Sequence, residues 1–175
     1  MWDAVEVNNT DQVAQYLENY EEKMGVELKE NELYDVTGNS MIHKAASLGH
    51  AEVLMLLLER TGAKPDIPNA SLATPLHLAC KNNRLDAAKF LIGCGVDANS
   101  QDEHGQMPLL ICCIHGHYDL AKMLIDASLS GHLPESLESD HKDHRGLSPL
   151  NCAAIKGDFD MARLLVINAN ASVDG

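Results

Sequence analysis

The segment TPLHLACKNNRLDAAKFL, beginning at Thr74, returns 33 positions later as MPLLICCIHGHYDLAKMLI from Met107. A fixed period of this length constrains the fold strongly. One small supersecondary unit is copied along the chain, and each copy buries its apolar face only against its neighbours. The same skeleton appears as SMIHKAASLGHAEVLMLLL from Ser40 and as SPLNCAAIKGDFDMARLLV from Ser148, which makes four plain units at spacings of 34, 33 and 41. One linker therefore carries one extra residue and another carries eight, and insertions belong in loops. A weaker unit precedes them: Trp2-Asp3-Ala4-Val5, then Asn9 where the others have Gly49, Asn83, Gly116 and Gly157, then Val13, Tyr16 and Leu17 at helical spacing.

Within one unit, Asp102-Glu103-His104-Gly105 reads as a tight turn in which Gly105 takes a positive φ. Asp35, Asn69 and Asp143 stand at the equivalent place, and Leu72 stands where Gly38, Gly105 and Gly146 occupy the turn. That finger must adopt a different backbone conformation or carry strain, and Leu72 is a candidate partner anchor at its tip. Pro75, Pro108 and Pro149 follow at helix starts, where a missing N–H costs nothing, with Thr74 or Ser148 as cap. The small pairs Ala45-Ala46, Ala79-Cys80, Cys112-Cys113 and Ala153-Ala154 allow first helices to approach closely. Leu85, Ala88, Phe90 and Leu91 are expected to give the second helix its core side. Nothing reads as a β-strand, so the fold class is all-α.

Thr74-Pro75-Leu76-His77-Leu78-Ala79 matches the ankyrin-repeat pattern residue for residue, and the chain resembles that family over nearly its whole length. The resemblance implies a solenoid of stacked helix-turn-helix units with β-turn fingers, forming one domain over 1–175. Its parts are an N-terminal capping repeat with a long linker (1–37), repeats at 38–71 and 72–104, a repeat with an eight-residue insertion at 105–145, and a truncated repeat at 146–175. It also implies a non-catalytic protein-interaction module whose concave face, made of first helices and fingers, contacts the partner. Carried over position by position, that face includes Leu48, Lys81, Asn82, Ile114, His115, Ile155 and Lys156 on the helices. On the fingers it includes Leu72, His104, Gln106, Arg145 and Leu147. Leu91, Asp97 and Asn99 resemble the pattern recognised by an asparagine hydroxylase, with Asn99 as acceptor; Asn there also stabilises a turn.

Charge sharpens the reading. The net charge is −13, and residues 1–36 hold ten acids against Lys23 and Lys29, leaving −5 for the rest. Nucleic acid and anionic membranes need a basic face, so neither is the expected partner. The expected concave positions are instead basic, with Lys81, Arg145 and Lys156 against Glu103 and histidines nearby. An acidic or phosphorylated protein segment is the partner this pattern fits, with apolar Leu48, Ile114 and Ile155 adding buried contact. No apolar run approaches the ~20 residues that cross a bilayer, and no leader is visible. Five cysteines suit reduced thiols in cytosol or nucleus rather than a secreted chain.

No catalytic motif is present, and no cofactor is expected. Cys112-Cys113-Ile114-His115-Gly116-His117 holds metal-ligand chemistry, but its cysteines fall on the paired small positions of a first helix, and zinc sites usually space their paired ligands further apart. His132, His141 and His144 with Asp140 and Asp143 lie in and after the insertion, read as a polar, solvated loop. The long connections, Glu18 to Thr37 and Leu129 to Lys142, are places where loops carry function. The final unit ends without a polar outer face, so the chain reads as a monomeric fragment. Three functions follow: a binding module of an adaptor or scaffold, a self-contained inhibitor of an enzyme such as a protein kinase, and a targeting domain of a larger enzyme or channel.

Overall fold

In the computed structural model, which describes residues 1–24, 35 and 38–169, the first helices at Met41, Pro75 and Pro149 start at the Ser or Thr caps that precede them. The helices come in pairs: α1 (Trp2–Glu6) with α2 (Thr10–Met24), α3 (Met41–Leu48) with α4 (Ala51–Thr61), and α5 (Pro75–Lys81) with α6 (Leu85–Gly93). The pairs α7 (Pro108–His115) with α8 (Tyr118–Leu129) and α9 (Pro149–Lys156) with α10 (Phe159–Asn168) complete the set. There is no strand among the described residues. First helices pack on first helices and second on second, giving the two layers of an all-α solenoid.

Caps and small residues set this geometry. Ser40 and Thr74 form capping boxes with His43 and His77, and Ser148 does so with Asn151. The backbone N–H groups of Ser40 and Thr74 donate to the histidine Nδ1 atoms at 3.2 and 3.1 Å, which fixes the proton on Nε2. Nε2 then donates to the next finger, His43 to the Ala73 carbonyl at 3.1 Å and His77 to the Gln106 carbonyl at 3.0 Å. Each histidine thus starts its own helix and fastens the following unit. Ala45, Ala46, Ala79, Cys80, Cys112 and Cys113 are all buried at the helix seams, and all five cysteines are free thiols. Each fully buried leucine in the second layer, such as Leu54, Leu91 or Leu124, contributes roughly 1.5–3 kcal/mol through burial.

A second fastening recurs along the stack. The carbonyl at the end of one first helix accepts a bond from the next unit: Glu6 from His50 Nε2 at 3.2 Å, Ser47 from Arg84 Nε at 3.1 Å, and Lys81 from His117 Nε2 at 3.3 Å. Asp158 takes the corresponding position in the last pair and cannot donate. It caps α10 instead, accepting from the Met161 N–H at 3.0 Å, while Lys156 Nζ reaches the Ile114 carbonyl.

Three expectations about the repeat units need correction. Asn8, with φ 54°, is the residue that ends α1 in the left-handed region, and Asn9 caps α2 through the Gln12 N–H; the register of the first unit is one residue earlier than read. The connection placed from Glu18 is helix as far as Met24, while residues 25–34, 36 and 37 lie outside the described residues. Leu85 is 43% exposed, not core, because the first residue of a second helix points off the edge of the stack. Leu72, by contrast, carries the strain expected of it: it keeps the same left-handed turn as its glycine counterparts, with φ 59°, and its side chain is 54% exposed.

The insertion after α8 is pinned to the stack at several points, while most of its residues stay exposed as expected of a polar loop. Leu133 and Ser139 are buried, Ser139 Oγ donates to the Ala169 carbonyl at 2.6 Å, and the Leu137 N–H donates to Ser128 Oγ at 3.0 Å. Asn99 clamps it from the previous unit, donating from Nδ2 to the Ser136 carbonyl at 2.9 Å and accepting from the Glu138 N–H at 3.0 Å. His141 Nε2 bonds the Gly105 carbonyl at 3.1 Å. Polar side chains hold this segment down because each meets a backbone group of a neighbouring element.

Candidate functional site

The fingers stand beside one another because their turns are built alike. In each, one acidic or amide side chain gathers the backbone N–H groups of the turn. Asn69 Oδ1 takes Ser71 and Ala73, Asp102 Oδ1 takes His104 and Gln106, and Asp143 Oδ1 takes Arg145 and Leu147, at 2.9–3.0 Å. Neighbouring fingers are joined by backbone bonds, Glu103 N–H to the Ser71 carbonyl and His144 N–H to the His104 carbonyl, each 2.9 Å. Gly105 sits where a Cβ would lie 2.7 Å from the His144 ring, so the close approach itself requires glycine. Burial opposes ionisation of Asp143. The Leu147 and Arg145 N–H groups, the Gln106 amide and the Arg145 guanidinium outweigh it and hold the carboxyl below its ordinary range.

Between the fingers and the first helices α5 and α7 lies a groove of about 490 Å³. Leu78 and Ile111 form its apolar floor with buried His77, Asn69 and Ser71 line it from one finger, and Glu103, His104 and Gln106 from the next. Lys81 and His115, the last residues of α5 and α7, close its lower end. A smaller hollow of about 310 Å³ continues it along the fingers between His104, Gln106, His144 and Arg145. Of the residues named from sequence, Lys81, His104, Gln106 and His115 therefore meet at one place, and Arg145 adjoins it. Leu78 and Ile111 reach the groove because each lies about 100° around its helix from the seam residue that follows it, Ala79 or Cys112.

The remaining candidates are dispersed. Arg145 is committed to Asp143, with Nη2 3.2 Å from its carboxylate, and Lys156 to the Ile114 carbonyl. Asn82 turns back on its own helix, donating from Nδ2 to the Leu78 carbonyl at 2.8 Å. Ile114 and Leu147 are half-buried against the core, and Leu48 is half-buried one unit away. Ile155 is 77% exposed on α9, beyond which the described residues place no further helix pair. Leu72 projects from a finger tip outside the groove lining, and the amide of Asn99 is bonded at both its oxygen and its nitrogen.

The chemistry of the groove is that of recognition. Desolvation, then the neighbouring His117, Lys81 and Lys156, holds the His115 imidazole below its usual pKa. The thiols of Cys112 and Cys113 are pushed well up by burial, away from the thiolate form a nucleophile or ligand needs. Among the described residues no group of three or more His, Cys, Asp or Glu converges as a metal site, and no helix is long and apolar enough to cross a membrane.

A stack of helix pairs with joined fingers and a preformed groove defines a repeat protein of the kind that binds other proteins. The family model of ankyrin repeats in three copies matches residues 1–102 and 87–174, and the chain belongs to the ankyrin-repeat family. It is similar to the target of rapamycin complex 2 subunit AVO2 of Saccharomyces cerevisiae, 33% identical over 89 residues, which are 51% of this chain and 21% of that protein. It is also similar to the nuclear factor NF-kappa-B p105 subunit of Mus musculus, 32% identical over 96 residues, 53% of this chain and 10% of that one. The transient receptor potential cation channel subfamily A member 1 of Homo sapiens is 28% identical over 92 residues, 52% of this chain and 8% of the channel. The chain thus spans about a fifth or less of the length of these relatives. The ankyrin-repeat region is a protein-interaction module.

Proposed function

We propose that the module binds an acidic segment of a protein partner in the groove between the second-unit and third-unit fingers, as a monomer in the cytosol or nucleus. The observation that carries this reading is Lys81. It lines the lower end of the groove beside an apolar floor, in a chain whose net charge is −13. Apolar contact on Leu78 and Ile111 supplies buried area, while Lys81 and His104 orient the segment; charge acts there on specificity and encounter more than on affinity. The fingers are already held by side-chain and backbone bonds, so little ordering entropy is lost on binding. Arg145 and Lys156, already engaged within the fold, shape the neighbouring surface, and Leu72, Gln106 and His115 border the bound segment.

The test is capture of binding proteins on the wild-type chain and on a Lys81→Glu variant, with melting temperature as control. The expected result is loss of the partner by the variant, at least tenfold in affinity, with the melting temperature unchanged. Equal affinity of the two chains contradicts the reading.

A further inference from the structure

Three successive first helices end in a base: α5 in Lys81, α7 in His115 and α9 in Lys156. This ladder is held in place by the fold. His117 Nε2 bonds the Lys81 carbonyl at 3.3 Å and stacks on His115 with ring centroids 5.6 Å apart and planes at 15°. Lys156 Nζ bonds the carbonyl of Ile114, the residue before His115, which leaves it two further hydrogens to donate. The three helix ends and His117 thus gather two ammonium groups and two imidazoles around His115, with Lys81 and His115 in the groove lining and Lys156 beside it. Glu103 and Asp102 are the acids of the groove lining; Asp102 is taken up by its own turn, and Glu103 lies 3.9 Å from His104 Nε2.

We propose that the Lys81–His115–Lys156 ladder is a site for a phosphorylated residue of the partner segment, whose dianionic phosphoryl group is held between the two ammonium groups with a proton taken up by His115. This rests on the reading of the groove as the partner site and names the chemistry of its occupant. A single carboxylate brings one charge to two ammonium groups. A phosphoserine or phosphothreonine brings about −1.5 to −2 and three acceptor oxygens, enough for Lys81, Lys156 and an imidazolium together. Desolvation, then the neighbouring imidazole and the two ammonium groups, disfavours the charged form of His115, and a dianion reverses that balance. The groups facing His115 are Lys81 from α5, His117 after α7 and Lys156 from α9, with Glu103 and His104 at the far rim.

The experiment is an NMR titration of His115 in the whole chain, wild type and Lys81→Met, against three probes: N-acetyl-phosphoserine amide, N-acetyl-glutamate amide and inorganic phosphate. Lys81 contributes only its backbone carbonyl to the fold, so the variant keeps the stack, which a circular dichroism melt verifies. The proposal expects phosphoserine amide to raise the His115 pKa by at least half a unit in the wild type, with the shift lost in Lys81→Met. A shift from inorganic phosphate equal to that from phosphoserine amide still supports a phosphoryl site. A shift from the glutamate amide alone overturns the phosphoryl assignment and leaves the acidic-segment reading standing. An unmoved His115 with all three probes overturns the proposal, whereas the partner reading falls only if Lys81→Glu still binds.

Discussion

His43 shows how one side chain can carry both a helix start and a repeat junction. Burial pushes its pKa from 6.5 to about 4, so the folded chain holds it neutral where the unfolded chain protonates it. Stability is therefore full above pH 6.5 and falls as pH drops toward 4, by about 3 kcal/mol for this residue. Denaturant midpoints for wild type and His43→Gln, compared at pH 7 and pH 4, should show the wild type losing that much more than the variant; parallel losses would contradict it. Leu72 works in the opposite sense, since its positive φ costs stability and its exposed side chain gains little burial to offset it. Leu72→Gly should raise stability by about 1 kcal/mol, whereas Gly105→Ala, in the same turn position but against His144, should lower it by about 2 kcal/mol. Thermal melts of the two variants moving in the same direction would show that the fingers do not share one turn geometry.

At the scale of helices, the stack depends on small residues where first helices meet. Ala79 has no exposure between its neighbours, so Ala79→Leu should cost roughly 1 to 3 kcal/mol by overpacking, read from urea unfolding. A change within error would place Ala79 away from the seam. Such positions were legible in the sequence because repetition shows them several times over: Thr74 to Ala79, the prolines at helix starts and the turn residues all act within a few positions of themselves. The fastening of the insertion was not legible. It runs from Asn99 to Ser136 and from His141 to Gly105, over 36 or more residues, and neither composition nor period reports a bond of that range. The register of Asn8 and Asn9 was missed for a related reason, since either asparagine tolerates the left-handed turn and only the bond to Gln12 decides between them. Of the basic positions, Lys81 and His115 reached the groove, while Arg145 and Lys156 were drawn into bonds that depend on where Asp143 and Ile114 lie.

For the whole molecule, the proposed function follows from having two unlike faces. The first helices and fingers present a groove with an apolar floor and Lys81 at one end, and the second helices present exposed residues such as Asp86, Lys89, Asp119 and Lys122, with opposite charges side by side. Binding at a surface preformed by stacking should protect that surface without reorganising the stack. The decisive measurement is hydrogen–deuterium exchange of the chain with and without the partner obtained by capture. The account predicts slowed exchange at the C-terminal turns of α5 and α7 and in the finger from Asp102 to Gln106, with α6 and α8 unchanged. Protection confined to α6 and α8, or to the docked insertion, would contradict it and move the binding surface to the other side of the stack.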